Sequence, residues 1–481
     1  MIVKNVSTDV LIVGDGIAGL RAALEAASRG AKVLVVSKIE PRKPNTSSVI
    51  GGWITHRDEH EIEELFYTLL EEGNFINDQD LAWTFAREVV YRVPELRKFG
   101  VELKIEVREE ERVGAFRSIW RVVGPTGRLG EGLVGPLRRA AMDRGVQILR
   151  NAIVTRLLCS NGSVYGATVL DLSNQRLLAV HTKAVILATG GASCIYEKSD
   201  NPVGTTGDGY ALALRAGAEL IDMEFEIFSL SPRQLCHLFS DNLDEDKILR
   251  GPARAHYTCG GIRIGIDGET RVKGLYAAGE VTGGVFGSAR LGGAAVADTI
   301  IFGYRAGKAA ADYAKGIIKI PLLEEQVRVE EKRLENILRS RGNSPSKLIS
   351  ELKKIMWQRA GVIRKEKYLV EGLKEIRELR EELENIAVGT FSNLREAIEI
   401  DFMIEVAEAM CLSALTRKES RGAHWRIDYP KPDKDWLKNI IIRREKSQLN
   451  LEVRPVELKR AKPKGPFKIG DRHTWCYIIT S

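Results

Sequence analysis

An α/β fold is predicted, with a Rossmann-like domain early in the chain and a helical bundle later. Three observations predict it. A short apolar run at 9–13 is followed by Gly14-Asp15-Gly16-Ile17-Ala18-Gly19. An Ala- and Leu-rich stretch over 18–29 and a second apolar run at 32–36 complete a βαβ start. From about 316 the texture changes to long, charged stretches of helical period.

The glycine turn is a complete GxGxxG between a strand and a helix, the setting in which this motif cradles a dinucleotide. The first glycine, Gly14, permits the tight turn. The second, Gly16, lets backbone N–H groups approach a pyrophosphate, and Ile17 and Ala18 open the helix whose N-terminus faces the anion. The third, Gly19, lets helix and strand pack closely. The acidic residue expected at the end of the second strand is missing. Ser37 and Lys38 stand there and are expected to meet ribose or adenine-side polar groups, which argues against a standard NAD site.

Further along, 60–100 and 130–144 read as helical, and strands are expected near 146–155, 163–171 and 176–188. After 316 three long helices are expected. Ser344-Pro345 gives the second an N-cap and a proline at its first helical position; the next spans about 364–386, and another about 393–415. These read as an antiparallel bundle. The stretch 416–481 reads as a basic tail with short strands near 438–443 and 449–453.

Composition narrows the function classes. The chain has 481 residues, 44% hydrophobic and 28% charged, which suits a globular protein of two or three lobes. The N-terminal stretch has no basic and apolar leader pattern, so no secretory signal is expected. The longest apolar runs are too short to span a bilayer, so direct membrane insertion is not expected. Six cysteines are scattered without CxxC spacing, so no metal site is expected, and a cytoplasmic chain with reduced thiols is. The net charge of +7 is spread among Glu-rich helical sequence, and no nucleic-acid motif accompanies it.

Several segments, in order, resemble one family across about 8–440: the flavoprotein subunits of fumarate reductase, succinate dehydrogenase and L-aspartate oxidase. Asn45-Thr46-Ser47 with Gly51-Gly52 is similar to the segment that lies along the flavin. Ala188-Thr189-Gly190-Gly191 is similar to the second nucleotide-contacting turn, and Thr206-Gly207-Asp208-Gly209 to a further family motif. Met223-Glu224-Phe225, His256-Tyr257-Thr258-Cys259-Gly260-Gly261 and the segment ending in Gly279-Glu280 also match. So do Gly287-Ser288-Ala289-Arg290-Leu291-Gly292-Gly293, with Ala295 and Val296 after it, and the closing Arg417-Lys418-Glu419-Ser420-Arg421-Gly422-Ala423-His424.

The resemblance implies FAD, with Glu280 holding its ribose. In covalent members a histidine stands where this chain has Asn45, so non-covalent FAD is implied. Losing that bond removes one way of raising the flavin potential, which favours reduction of a substrate, or a strong acceptor, over quinone-linked succinate oxidation. It also implies an iron–sulfur or other redox partner subunit, through which the chain would reach a membrane peripherally.

Carboxylic-acid chemistry at a flavin needs a carboxylate clamp, a substrate carbon facing the flavin, and a proton donor. His256 and Arg290 match the family's clamp, and Thr258 is an expected extra donor. Gly260 and Gly261 are expected to bring backbone close to the flavin ring.

Two departures stand out. The family's Phe-His-Pro-Thr is replaced by Phe228-Ser229-Leu230-Ser231, so the second carboxylate histidine is gone. The capping domain that carries the family's proton-donating arginine is reduced to 229–249. Arg254, Arg250, Arg233 and His237 are the candidates to replace that arginine.

The expected organisation is an FAD-binding domain over 1–228 and 250–315, the capping remnant 229–249, a helical domain 316–415 and a tail 416–481. Three functions follow. The chain is an oxidoreductase passing hydride between flavin N5 and a carboxylic acid, an electron-relaying flavin subunit, or a flavin-stabilised structural subunit. The clamp favours the first and the missing lid the second.

Overall fold

The computed structural model describes residues 1–38, 53–54, 61–103, 106–108, 119–121, 129–230, 245–339, 342–386, 388–446 and 448–463. Asn45, Thr46, Ser47, Gly51, Gly52, Arg233 and His237 lie outside these residues.

The apolar run Val10–Val13 forms a fully buried strand at the centre of a five-stranded parallel sheet. The order across it is Leu275–Ala277, Ala184–Leu187, Val10–Val13, Val33–Ser37 and Gln147–Arg150. The helix Ile17–Ser28 follows the glycine turn and packs against the long helix Ala294–Gly316. Small residues make this contact close: a Cβ on Gly307 would lie 2.4 Å from the Ala22 carbonyl oxygen.

A four-stranded sheet (Val3–Ser7, Arg176–His181, Ser163–Asp171, Ala152–Ser160) forms a second layer. A third sheet contains Thr282–Gly283, Gly261–Arg263, Leu220–Ile221, Lys438–Glu445 and Gln448–Pro455. Beside it, Glu226–Ser229 pairs antiparallel with Arg254–Thr258 across a bulge at Ile227/Phe228. This two-stranded ribbon carries His256, Thr258 and Ser229.

Among the described residues four α-helices follow residue 316, where three were expected: Glu324–Arg339, Pro345–Ala360, Glu366–Glu382 and Leu394–Thr416. Pro345 opens the second of these, as the Ser-Pro pair predicts. Leu394–Thr416 is buried along nearly its whole length and packs on Asp208–Ala216, so the helical region shares the core of the α/β region. Among the described residues no helix is long and apolar enough to cross a membrane.

The described part of the stretch after 416, up to residue 463, is not a tail. Lys438–Glu445 pairs with Leu220–Ile221 inside the third sheet, and Arg417, Arg421, His424 and Arg426 are buried. Its buried arginines are paired internally with carboxylates. Arg417 donates to Glu224 at 2.5 Å and Glu419 at 3.0 Å, and Arg421 to Glu419 at 2.7 Å. The Arg364 guanidinium lies 2.7 Å from His424 Nδ1. Burial, and then Arg364, Arg417 and Arg426, hold His424 well below the usual imidazole range, so the ring is neutral and accepts from Arg364. A basic composition thus reads as a tail only while its carboxylate partners, remote in sequence, are unknown.

Candidate cofactor and substrate site

Gly14 has φ +113°, and a Cβ there would lie 2.2 Å from the Ala188 carbonyl oxygen. A Cβ on Gly19 would lie 2.0 Å from the Gly14 carbonyl oxygen. Both glycines are therefore required by the turn itself, which brings the first strand–helix junction against Ala188-Thr189-Gly190-Gly191. Among the described residues no side chain caps Ile17–Ser28, and the Thr189 hydroxyl is buried with no partner.

Glu280 follows the strand Leu275–Ala277 and a left-handed Gly279 (φ +80°). Its carboxylate accepts from the N–H of Thr258 at 3.3 Å and from the N–H of Gly191. A Cβ on Gly191 would come within 2.3 Å of Glu280 Oε1, so this glycine keeps the space the carboxylate occupies. Gly293 (φ +76°) starts the helix Ala294–Gly316, placing Ala295 and Val296 in its first turn. An N-terminus, an uncapped hydroxyl and a carboxylate thus converge where a dinucleotide's phosphates and ribose need donors and an acceptor. The residues fit FAD.

Ser37 and Lys38 have other partners. The Ser37 hydroxyl donates to Asp15 at 2.7 Å, and Arg138 also reaches Asp15, at 3.0 Å. Lys38 Nζ lies 2.7 Å from Asp208, 3.0 Å from Glu399 and 2.5 Å from the Thr206 hydroxyl. Burial works against its charge, but Asp208 and Glu399 outweigh burial and raise Lys38 above its ordinary range. Three expected cofactor contacts, Lys38, Thr206 and Asp208, therefore meet one another and tie the glycine-rich region to Leu394–Thr416.

His256 and Arg290 do come together. Arg290 Nη2 lies 3.4 Å from His256 Nε2, and its guanidinium stacks over the Tyr257 ring at 4.5 Å. Arg290 Nη1 donates to the Leu291 carbonyl, while its Nε is buried with no partner among the described residues. The closing motif supports this loop, since the Ala423 N–H donates to the Ser288 carbonyl at 2.8 Å.

Thr258 and Arg254 do not join the pair. Thr258 is fully buried; its hydroxyl accepts from the Ala192 N–H at 3.2 Å and bonds Glu226. Arg254 is exposed and folds back on the Pro252 and Ala253 carbonyls. Arg250 ends the short helix Glu245–Arg250, exposed. Gly260 and Gly261 serve the protein's own packing: their Cβ atoms would meet the Asp222 carbonyl at 2.1 Å and the Val281 carbonyl at 2.7 Å.

Sequence reasoning missed three acids here, Asp200, Glu226 and Asp298. Asp200 Oδ2 lies 2.9 Å from His256 Nδ1 and accepts from the Ser229 hydroxyl at 3.3 Å. Glu226 is buried and accepts from Ser193 at 2.7 Å. Burial pushes it up to about 8, less the help of Ser193 and Thr258. Asp298 is 1% exposed, and burial followed by Glu280 pushes it up to about 8. Burial likewise pushes Glu280, whose environment the sequence did not convey, up to about 7. Asp298 was visible only as a lone acid within the apolar run Ala294–Ile301.

The sequence matches the family described as FAD binding domain over 9–242 and 235–296, and that described as fumarate reductase flavoprotein C-term over 349–472. An uncharacterised FAD-dependent oxidoreductase of Methanocaldococcus jannaschii is 29% identical over 91% of the chain and 97% of that protein. A fumarate reductase (CoM/CoB) subunit from Methanothermobacter marburgensis is 28% identical over the same shares. The fold is that of Escherichia coli quinol fumarate reductase FrdA, with TM-score 0.86 and 24% identity over 97% of this chain and 100% of that one.

Proposed function

This chain belongs to the FAD-binding-domain family, and on that premise we propose that it exchanges hydride between FAD and a small carboxylic acid. It is an FAD-dependent oxidoreductase of the fumarate reductase and succinate dehydrogenase flavoprotein type, and FAD is its cofactor. Bound FAD supplies a two-electron hydride carrier. The pairing of Arg290 with His256 beside the Glu280 cradle carries the reading. Arg290 offers a planar fork to one carboxylate, with a buried Nε that lacks an acceptor among the described residues. Tyr257, 7% exposed, holds that fork in place from below and screens it from water.

FAD is held non-covalently, on the ground that Asn45 cannot form the family's histidine linkage. Electrons reach it from an iron–sulfur or other redox partner subunit. That partner covers an otherwise open face. The match to the M. marburgensis protein runs over 538 residues, more than this chain's 481, so the relative carries segments without a counterpart here. At the end of the cap remnant, the helix Glu245–Arg250 is bonded to the helical bundle, with Tyr368 donating to Glu245 at 2.8 Å and Trp357 to the Leu249 carbonyl at 3.1 Å.

A second reading, electron relay without acid turnover, is favoured by Ser229. It stands at the second carboxylate position and turns its hydroxyl to Asp200. One experiment separates the two. The purified flavoprotein is mixed anaerobically with saturated acids to bleach the flavin, and the reduced form with unsaturated acids, oxygen and quinones to restore it. Bleaching or restoration by an acid supports the proposal. Response to quinones and dyes alone replaces it with the relay.

A further inference from the structure

The site as described holds a carboxylate but lacks the family's proton-donating arginine. We propose that His256 is the proton donor of this chain and that Asp200 is the residue that positions it. The inference rests on the carboxylic-acid reading above.

Asp200 is not a casual surface partner. The segment 198–201 is laced to the strand Arg254–Thr258 on both sides of His256. The Ala255 N–H donates to the Lys198 carbonyl at 2.8 Å, and the Asp200 N–H to the Ala255 carbonyl at 3.2 Å. The Ser199 hydroxyl donates to the same Ala255 carbonyl at 3.1 Å, and Asn201 donates to the His256 carbonyl at 2.7 Å. The Asp200 carboxylate is thereby set 2.9 Å from His256 Nδ1, with Ser229 as its second donor. This arrangement fixes the tautomer: Nδ1 carries hydrogen toward Asp200, and Nε2 is the reactive nitrogen.

Nε2 lies 3.4 Å from Arg290 Nη2. An arginine N–H has no acceptor role, so this contact is a hydrogen bond only while Nε2 is unprotonated. A substrate carboxylate that takes the Arg290 fork withdraws that N–H. Its negative charge, added to that of Asp200, then favours a second proton on the ring. Proton loading is thus tied to substrate binding. Among the described residues, two other charged groups near the ring are engaged elsewhere. Arg254 on the same strand is turned to the Pro252 and Ala253 carbonyls, and Glu280 is bound by the Thr258 N–H.

In the reductive direction the Nε2–H bond breaks and its electron pair stays on the ring. The proton forms a C–H bond with the pair left on the substrate carbon next to a carboxylate, after hydride has added to the neighbouring carbon. One alkene, one hydride and one proton give one saturated acid. His256, about a third exposed, regains its proton from solvent.

The test uses the FAD-loaded chain with reduced viologen as electron source and fumarate as acceptor. Asp200→Asn should lower kcat at least about tenfold with KM little changed. Its activity should also fall away at lower pH than in the unchanged chain, and its solvent deuterium effect on kcat should grow. Asp200→Glu should restore part of the loss. Succinate binding, read from the flavin absorbance, should survive Asp200→Asn and fail in Arg290→Lys. If the unchanged chain turns fumarate over and Asp200→Asn matches it in kcat and pH profile, this inference falls and the carboxylic-acid reading stands. If fumarate is inert, the same comparison is made with whichever unsaturated acid restores the reduced flavin, and if none does and no saturated acid bleaches it, both are overturned.

Discussion

Replacing Arg290 by lysine probes the site most directly. Lysine keeps the positive charge but replaces a planar five-donor fork by a point charge on a flexible stem. In the structure the guanidinium is pre-set, stacked at 4.5 Å over Tyr257, with Nη1 on the Leu291 carbonyl and a buried, unpartnered Nε. An incoming carboxylate would find two parallel N–H groups already oriented. Losing that bidentate, charge-assisted contact, together with part of the ring stacking, should cost about 2–4 kcal/mol of transition-state stabilisation. That corresponds to a roughly 30- to 1000-fold fall in kcat/KM. The assay is anaerobic steady-state turnover of the acid identified by flavin bleaching, with FAD content measured in parallel. FAD content should not change, because Glu280 and the glycine turns are untouched. Unaltered kcat/KM with full FAD occupancy would remove Arg290 from the clamp.

Other outcomes follow from the same geometry. Glu280 is pushed up to about 7, and a ribose hydroxyl needs its ionised form as acceptor, so FAD affinity of the apoprotein should weaken as pH falls below about 7; fluorescence titration from pH 8.5 to 5.5 reads this. Glu226, Asp298 and Glu280 all hold their protons more tightly folded than unfolded, so their joint contribution to apoprotein stability is largest in acid and is lost as pH rises through about 7 to 8. The slope of denaturation midpoint against pH checks it, and a rise in midpoint across pH 6–8.5 would contradict it. Arg417→Met leaves Glu224 buried without its cation and Glu419 with Arg421 alone, and should cost about 3–5 kcal/mol in denaturant unfolding. Acid precipitation should leave a yellow supernatant, and flavin remaining on the precipitated chain would refute non-covalent binding.

The glycine cradle was legible because its causes are local. Gly14 and Gly19 are demanded by backbone contacts within one strand–turn–helix unit and its neighbour at Ala188, and strand and helix periods announce such units. The helices at 345, 366 and 394 showed for the same reason. The neighbourhood of Lys38 was not legible. Its position after the second strand pointed to a ribose, whereas its partners Asp208 and Glu399 lie on helices far along the chain. Thr258 illustrates the limit within a matched motif: sequence marks it as a donor, yet its hydroxyl is spent on Ala192 and Glu226 beneath the site.

By itself the sequence determined the dinucleotide cradle, the α/β order, the His256–Arg290 pair and the loss of the second carboxylate histidine at Ser229. The cradle and the strand–helix order are set by residue identity within short windows, where sterics and turn chemistry act. The His256–Arg290 pair, 34 positions apart, and the missing histidine at Ser229 were legible only through the family resemblance. Only the tertiary structure decided that Arg417, Arg421 and Arg426 form a buried ionic core, that Lys38 is a tie between regions, and that Asp200 stands behind His256. Those roles depend on which charges become neighbours. Arg417 and Glu224 are 193 positions apart, and Asp200 and His256 are 56. Whether a charge is solvated, paired or poised for chemistry is a property of its surroundings once water is excluded, and no short window of sequence contains those surroundings.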